Sequence, residues 1–382
     1  MVGEGGGVGG AMKALRLVVA LTLAAATAEV RMRAWSSPPV ERWRVAVSTR
    51  GTPVADDRAV FAVAKDRRVL ALNKLTGAAL WQSPVGSADS TLPGTALRLA
   101  PSLVIVGDSD VVALERATGR ERWRVRGADG DAIGRYLGEV SGDVVLTGSA
   151  TGAIYALSAD TGRVLWRTMV AGGRATVFAP VLRGSQVLAA FTVFDAPRRA
   201  GLAILDASTG AVRSLLPLPA DNGDAVGWGG GLAAGDTHAL VSGDSGRVWQ
   251  FDLRRAAPVW SIAGPADGNL HHEAIAIGAS YFFVGSFDGS VAAYASADHR
   301  LAWRYEDPRL GSMGVGLLAV RGVVICPFAG ALVALDERTG RELWRVTGAV
   351  PANPAVPFVA QHRMYVAGRD GLAAFSFDGD TV

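Results

Sequence analysis

Cysteine occurs once in this chain of 382 residues, as Cys326. One cysteine makes neither an intrachain disulfide nor a cysteine-rich metal site. Set in the strand-like apolar run Val323-Val324-Ile325-Cys326, it reads as a small buried hydrophobe rather than a nucleophile. No cysteine follows the apolar stretch near the N-terminus, so no acylation site of a bacterial lipoprotein is visible. Runs of like charge are missing too. The formal net charge of +3 is spread along the chain, which excludes a nucleic-acid-binding tail and leaves the scattered Arg as a solubility feature. Beyond residue 28 no apolar run approaches the length needed to cross a bilayer core of about 30 Å, so no transmembrane span is expected. Histidine is scarce, with five dispersed residues. Neither a G-x-S-x-G elbow nor an H-E-x-x-H spacing occurs, so Ser-His-Asp and zinc-hydrolase chemistry have no support.

Apolar side chains and glycine are abundant: 49% of residues are hydrophobic, 19% are charged, and 48 are glycine. This suits a folded chain with a large core and many turns. The first 28 residues stand apart. A Gly-rich lead is followed by Met12-Lys13-Ala14-Leu15-Arg16, an apolar stretch from Leu17 to Ala26, and Ala26-Thr27-Ala28 before Glu29. A basic start, a short apolar middle and a small-residue exit are the layout of a secretory signal. Residues 1–28 are therefore expected to be a Gly-rich lead plus signal segment, with Met1 or Met12 as the start. The protein is expected to be periplasmic or secreted.

The rest of the chain repeats itself. Residues 113–123 read ALERATGRERW, 156–166 read ALSADTGRVLW and 334–344 read ALDERTGRELW. The Trp of this phrase recurs at Trp81, Trp123, Trp166, Trp260, Trp303 and Trp344, with Ser214 standing at the expected place between Trp166 and Trp260. The phrase's glycine recurs at Gly77, Gly119, Gly162, Gly210 and Gly340; Arg255-Ala256 and Asp298-His299 replace the Thr-Gly pair in two copies. A period in the low forties is the size of one four-stranded propeller blade. Within the phrase, Asn73-Lys74-Leu75-Thr76-Gly77 is turn chemistry between two strands. Asn bonds its own backbone a few residues on, and Gly accepts a positive φ. The Trp would cover apolar area where blades meet, with its N–H on a neighbouring carbonyl.

Strand-turn-strand stretches precede the phrase, beginning near Pro53, Ala96, Gly138, Pro180, Gly231, Ala274, Gly316 and Pro354, which makes eight. The eighth ends without its Trp strand, whereas Glu41-Arg42-Trp43-Arg44-Val45 is a Trp strand with no blade before it. Pairing these two ends closes a ring and hides its sheet edges. The sequence thus predicts an all-β fold. It is an eight-bladed β-propeller of four-stranded antiparallel sheets in one domain over residues 35–382, closed by the N-terminal strand pairing with the C-terminal blade.

The phrase AL(D/E/S)xxTGxxxW resembles the tryptophan-docking repeats of the pyrroloquinoline-quinone-like propeller superfamily, over nearly the whole chain after residue 28. In length and layout the chain is most similar to the BamB family, the propeller subunits of the outer-membrane β-barrel assembly machinery. The resemblance implies a signal segment, eight blades, no catalysis and a protein partner within that machinery. The molecule is expected to be monomeric by itself and peripheral to the outer membrane. One departure from the family's pattern is the missing lipobox cysteine. The superfamily's quinone-dependent dehydrogenases give an enzymatic alternative. They resemble each other in being longer, with a vicinal cysteine pair over the cofactor and carboxylates holding Ca²⁺, and Cys326 stands alone. A secreted sensor or ligand-binding propeller is a third reading.

No catalytic, cofactor or metal residue is assigned. His271-His272-Glu273 is the one clustered metal-type triplet, but adjacent histidines at a strand end point to opposite faces. It reads as a polar loop. Asp221-Asn222-Gly223-Asp224 lacks the spacing of a calcium loop and reads as a turn. Blade 4 departs most from the pattern: Ser214 replaces its Trp, its middle turn is extended by Phe194 to Ala200, and a Pro/Gly/Asp-rich loop with Trp228 follows. Exposed aromatics and Arg favour interface centres. Two neighbouring loops are therefore the candidate partner-binding patch, with Asp221, Asn222, Asp224 and Trp228 in the first and Asn269, His271, His272 and Glu273 in the second. The expected structural docking residues are Trp43, Trp81, Trp123, Trp166, Trp260, Trp303 and Trp344 with Gly77, Gly119, Gly162, Gly210 and Gly340.

Overall fold

A computed structural model describes residues 35–86, 96–219, 231–243, 247–263, 275–286, 289–310, 313, 316–348, 350–351 and 354–377. Their secondary structure is almost wholly strand, with two single-turn 3₁₀ segments at Ala128–Gly130 and Gly134–Tyr136. The strands form eight separate antiparallel sheets. Taken in chain order, blade 1 spans residues 49–84, blade 2 96–125, blade 3 137–169 and blade 4 175–217. Blade 5 spans 232–263, blade 6 275–305 and blade 7 318–347, while blade 8 joins 358–376 to Val40–Val45.

Each blade sorts its strands by composition. The second strand of blade 1, Ala59–Ala64, reads AVFAVA and is buried at every position. The second strand of blade 7, Val323–Phe328, is buried likewise. Continuous apolar runs of this length suit strands covered on both faces, here by the two neighbouring blades. The fourth strands lie at the rim and alternate, as in Ala79–Pro84 and Val164–Met169, where exposed and half-buried residues take turns. The core is accordingly divided among the seams. One apolar cluster occupies each junction between consecutive blades, such as Leu188, Leu202 and Ile204 of blade 4 against Val241, Trp249 and Phe251 of blade 5.

The ring closes as the sequence predicts. Val40–Val45 pairs antiparallel with Gly371–Ser376, bringing Val40 opposite Ser376, Trp43 opposite Ala374 and Val45 opposite Leu372. Blade 4 differs from expectation in two respects. Its inner strand is split into Ala175–Val177 and Val181–Arg183, both paired with Gln186–Val193. Its middle turn is also shorter than the expected Phe194 to Ala200. The ladder runs on to Val193 opposite Arg199, so Arg199 and Ala200 belong to the strand Arg199–Asp206. The additional residues lengthen both the hairpin and its turn, which is left as residues 194–198. Among the described residues no helix is long and apolar enough to cross a membrane.

Candidate functional site

The turn of the repeated phrase is built from its first residue. Asn73 Oδ1 accepts the N–H groups of Leu75 and Thr76, at 2.9 and 3.1 Å. Asp336 Oδ1 does the same for Arg338 and Thr339, at 3.1 and 2.8 Å. In blade 4 the Ser208 hydroxyl, and after it the Arg213 guanidinium, hold the Asp206 carboxyl well below the usual carboxylate range. These bonds set a turn that ends in a glycine at positive φ, with values from 69° to 73° at Gly77, Gly119, Gly162, Gly210 and Gly340.

Each of these glycines is the floor of a socket for the Trp of the preceding blade. Trp43 lies over Gly77, Trp81 over Gly119, Trp123 over Gly162, Trp166 over Gly210 and Trp303 over Gly340. The five indole N–H groups donate to the carbonyls of Lys74, Arg116, Ala159, Ala207 and Glu337, at 2.8 to 3.1 Å. A Trp and its glycine therefore belong to consecutive blades. Trp260 meets a different floor: its ring stacks on the His299 imidazole, with centroids 4.5 Å apart and planes 18° apart. His299 stands at the glycine's place with a φ of 62°. Trp344 donates to the Trp35 carbonyl at 2.9 Å. At the seam between blades 4 and 5, Ser214 and Ala256 stand where the others have Trp and Gly, and Ala256 keeps a positive φ of 49°.

Further ties cross the seams. Thr49 Oγ1 donates to the Gly368 carbonyl at 2.8 Å and accepts its N–H at 2.9 Å, joining blade 1 to blade 8. Arg67 and Asp108, both buried, pair at 3.0 Å between blades 1 and 2. Arg345 of blade 7 reaches Asp307, which follows blade 6, at 2.7 Å and Tyr305 at 3.1 Å. Most described polar chemistry is thus committed to turns and seams. Among the described residues no group of three His, Cys, Asp or Glu side chains is placed to hold a metal ion.

Asp221, Asn222, Asp224, Trp228, Asn269, His271, His272 and Glu273, the whole predicted partner patch, lie outside the described residues, as does the segment 1–28. The described chain fixes where the two loops leave and return. Leu218 donates its N–H to the Ala200 carbonyl at 2.9 Å, which places the end of blade 4 beside its long hairpin. Gly231 and Ser242 then exchange bonds of 3.0 Å as blade 5 begins. The rim strand Ala257–Ala263 runs to the same face. On that face the hairpin tip carries Arg198 over the Phe194 ring at 5.4 Å, and Asp195 accepts the Arg174 N–H at 2.9 Å. Arg174, Arg198 and Arg199 are exposed. The sequence signal for this tip was the additional length of blade 4.

A family model described as outer membrane protein assembly factor BamB matches residues 3–124, 107–213 and 198–380. An outer membrane protein assembly factor BamB from Burkholderia pseudomallei is 23% identical over 345 residues, covering 86% of this chain and 85% of that protein. Among solved structures, BamB from Moraxella catarrhalis superposes with a TM-score of 0.68 at 17% identity, over 91% of this chain and 100% of that one. Quinohemoprotein alcohol dehydrogenase from Comamonas testosteroni gives a TM-score of 0.71 at 18% identity, over 90% of this chain and 77% of that one. At such identities the two structural likenesses speak to the fold alone.

The dehydrogenase likeness raises a quinone cofactor, for which the described residues offer one thiol and a set of turn carboxylates. The single thiol, Cys326, is fully buried within a blade 7 strand, and burial pushes it well above the usual thiol range. Among the described carboxylates, Asp56 is bonded within its turn to the N–H groups of Arg58 and Ala59 at 2.8 and 2.7 Å.

Proposed function

This chain belongs to the family described as outer membrane protein assembly factor BamB, and on that premise we propose that it is a non-enzymatic periplasmic scaffold. In this reading it supports the assembly of outer-membrane β-barrel proteins through protein–protein contacts. Residues 1–28 serve as the export signal, and the partner is a component of the β-barrel assembly machinery. The observation that carries the reading is the family match along almost the full chain, on a ring whose described polar groups are mostly spent on its own turns and seams.

The docking patch we propose is the face of blades 4 and 5. There the two loops holding Asp221, Asn222, Asp224, Trp228, Asn269, His271, His272 and Glu273 would lie side by side, next to the hairpin tip with Phe194 and Arg198. A buried aromatic anchor at an interface is worth about 2 kcal/mol or more. Trp228→Ala is therefore expected to weaken partner binding at least roughly thirtyfold while leaving the melting temperature close to that of the parent. Affinity capture from envelope extract, followed by titration of the captured component against Trp228→Ala and His271→Ala/Glu273→Ala, makes the test. Capture that brings down no barrel-assembly component counts against the function. Unchanged affinity in both variants moves the patch elsewhere on the ring. The absence of catalysis has its own test: adding the quinone and Ca²⁺ should give no saturable chromophore and no dye-linked alcohol oxidation.

A further inference from the structure

Blade 8 is the one blade without a turn between its third and fourth strands, because those strands, Gly371–Ser376 and Val40–Val45, come from opposite ends of the chain. The preceding Trp344 therefore has no phrase turn to dock on. Trp35 supplies the missing socket. Its carbonyl accepts the Trp344 N–H at 2.9 Å, the service that Lys74, Arg116, Ala159, Ala207 and Glu337 perform elsewhere. Its own indole is 0% exposed and stacks on Phe377 with centroids 3.8 Å apart. The Arg321 guanidinium lies 5.4 Å above the ring, from a turn where Arg321 takes a φ of 52°. Gln361 takes the same positive φ, 56°, in the matching turn of blade 8, so the conformation belongs to the hairpin that presents the cation.

We infer that Trp35 is a latch, and that the ring opens and recloses at blade 8 according to whether this indole is seated. Every other blade is continuous along the chain, so separating its strands means breaking paired ladders on both sides of a turn. At blade 8 the six residues Val40–Val45 are held by one ladder, by Trp43 seated over Gly77 with its N–H on the Lys74 carbonyl, and by the plug that precedes them. Removing the plug takes away one of these ties and lowers the cost of opening here, and such openings are set by local rather than global stability. The vacated slot, walled by Phe377 and capped by the Arg321 guanidinium, has the shape of an indole, and engineered cavities of this kind take up small aromatics.

The experiment is amide hydrogen exchange on the full chain. In Trp35→Ala the amides of Val40–Val45 and Gly371–Ser376 are expected to exchange at least about tenfold faster, as a local opening allows. The amides of Val144–Gly148 in blade 3 should be unchanged. Millimolar indole should restore protection in the variant and leave the parent unaffected. Unchanged protection in Trp35→Ala would sink the latch, as would faster exchange spread equally over all blades. If Trp35→Ala does not fold, Trp35→Phe, which retains a stack on Phe377, is read for the same confined effect, and uniform loss there overturns the inference equally.

Discussion

A single position in the repeat shows how one residue is chosen by its neighbour. At Gly119 an added Cβ would lie 2.5 Å from Trp81, closer than van der Waals contact allows, and the positive φ of 73° would add strain. His299 holds the same position with a side chain, and Trp260 has answered by stacking on the imidazole instead of on bare backbone. His299 Nε2 donates to Gln250 Oε1, which selects that tautomer of the neutral ring. Around it stand Gln250, Trp260 and His238 from blade 5, and Asp298 and Phe282 from blade 6. Burial, and after it the charge of His238, hold the His299 imidazole below its ordinary range, against the pull of Asp298. Below about pH 6.5, the free-imidazole value, the unfolded chain then binds more protons at this site than the folded one. Stability from this site is therefore complete above that pH and lost as pH falls through the depressed folded value. The expected outcome is a denaturation midpoint that drops less in His299→Gln than in the parent between pH 7 and pH 5. Equal drops would remove His299 from the account.

At the scale of the element, the seam between blades 4 and 5 is the test of the docking rule. Ser214 and Ala256 stand together at this seam: without an indole the socket holds a methyl, and that methyl would crowd an indole seated as at the glycine seams. An indole seated as in the other seams would meet the Ala256 Cβ at the 2.5 to 2.8 Å seen for a Cβ added at the docking glycines. Ser214→Trp alone is expected to destabilise. Combined with Ala256→Gly it should regain more than the sum of the single changes, with a favourable coupling of about 1 to 2 kcal/mol in a denaturation cycle. Additive behaviour would mean the two sites do not share a socket.

Much of this element logic could be read in advance. The Thr-Gly turn, the strand order within a blade and the closing role of Glu41 to Val45 all follow from local chemistry and period. What could not be read needed three dimensions. Trp35 lies outside the repeat, and its partner Trp344 is brought near only when the chain ends meet. The split inner strand of blade 4 carries no turn signal distinct from its neighbours. The loops nominated for docking were chosen because they break the repeat, and a broken repeat gives composition without geometry.

For the whole molecule, the single thiol is a reporter that needs no engineering. Cys326 is fully buried at the centre of a blade, and its thiolate, the reactive form, is disfavoured by that burial. The folded ring should resist an aromatic disulfide reagent over hours, whereas the chain in denaturant should yield one thiol per molecule. With the reagent in excess, the labelling rate should follow the opening of blade 7. Rapid labelling of the folded protein would show that blade 7 opens on its own. The closing ladder of blade 8 has a consequence for force. Val40 and Ser376 face one another at the same end of that ladder, and in an antiparallel pair the bonds lie across the strands. A load applied through the two chain ends therefore acts along those bonds and falls on one pair before the next. The ring would yield to tension as a zipper does, starting where Trp35 sits.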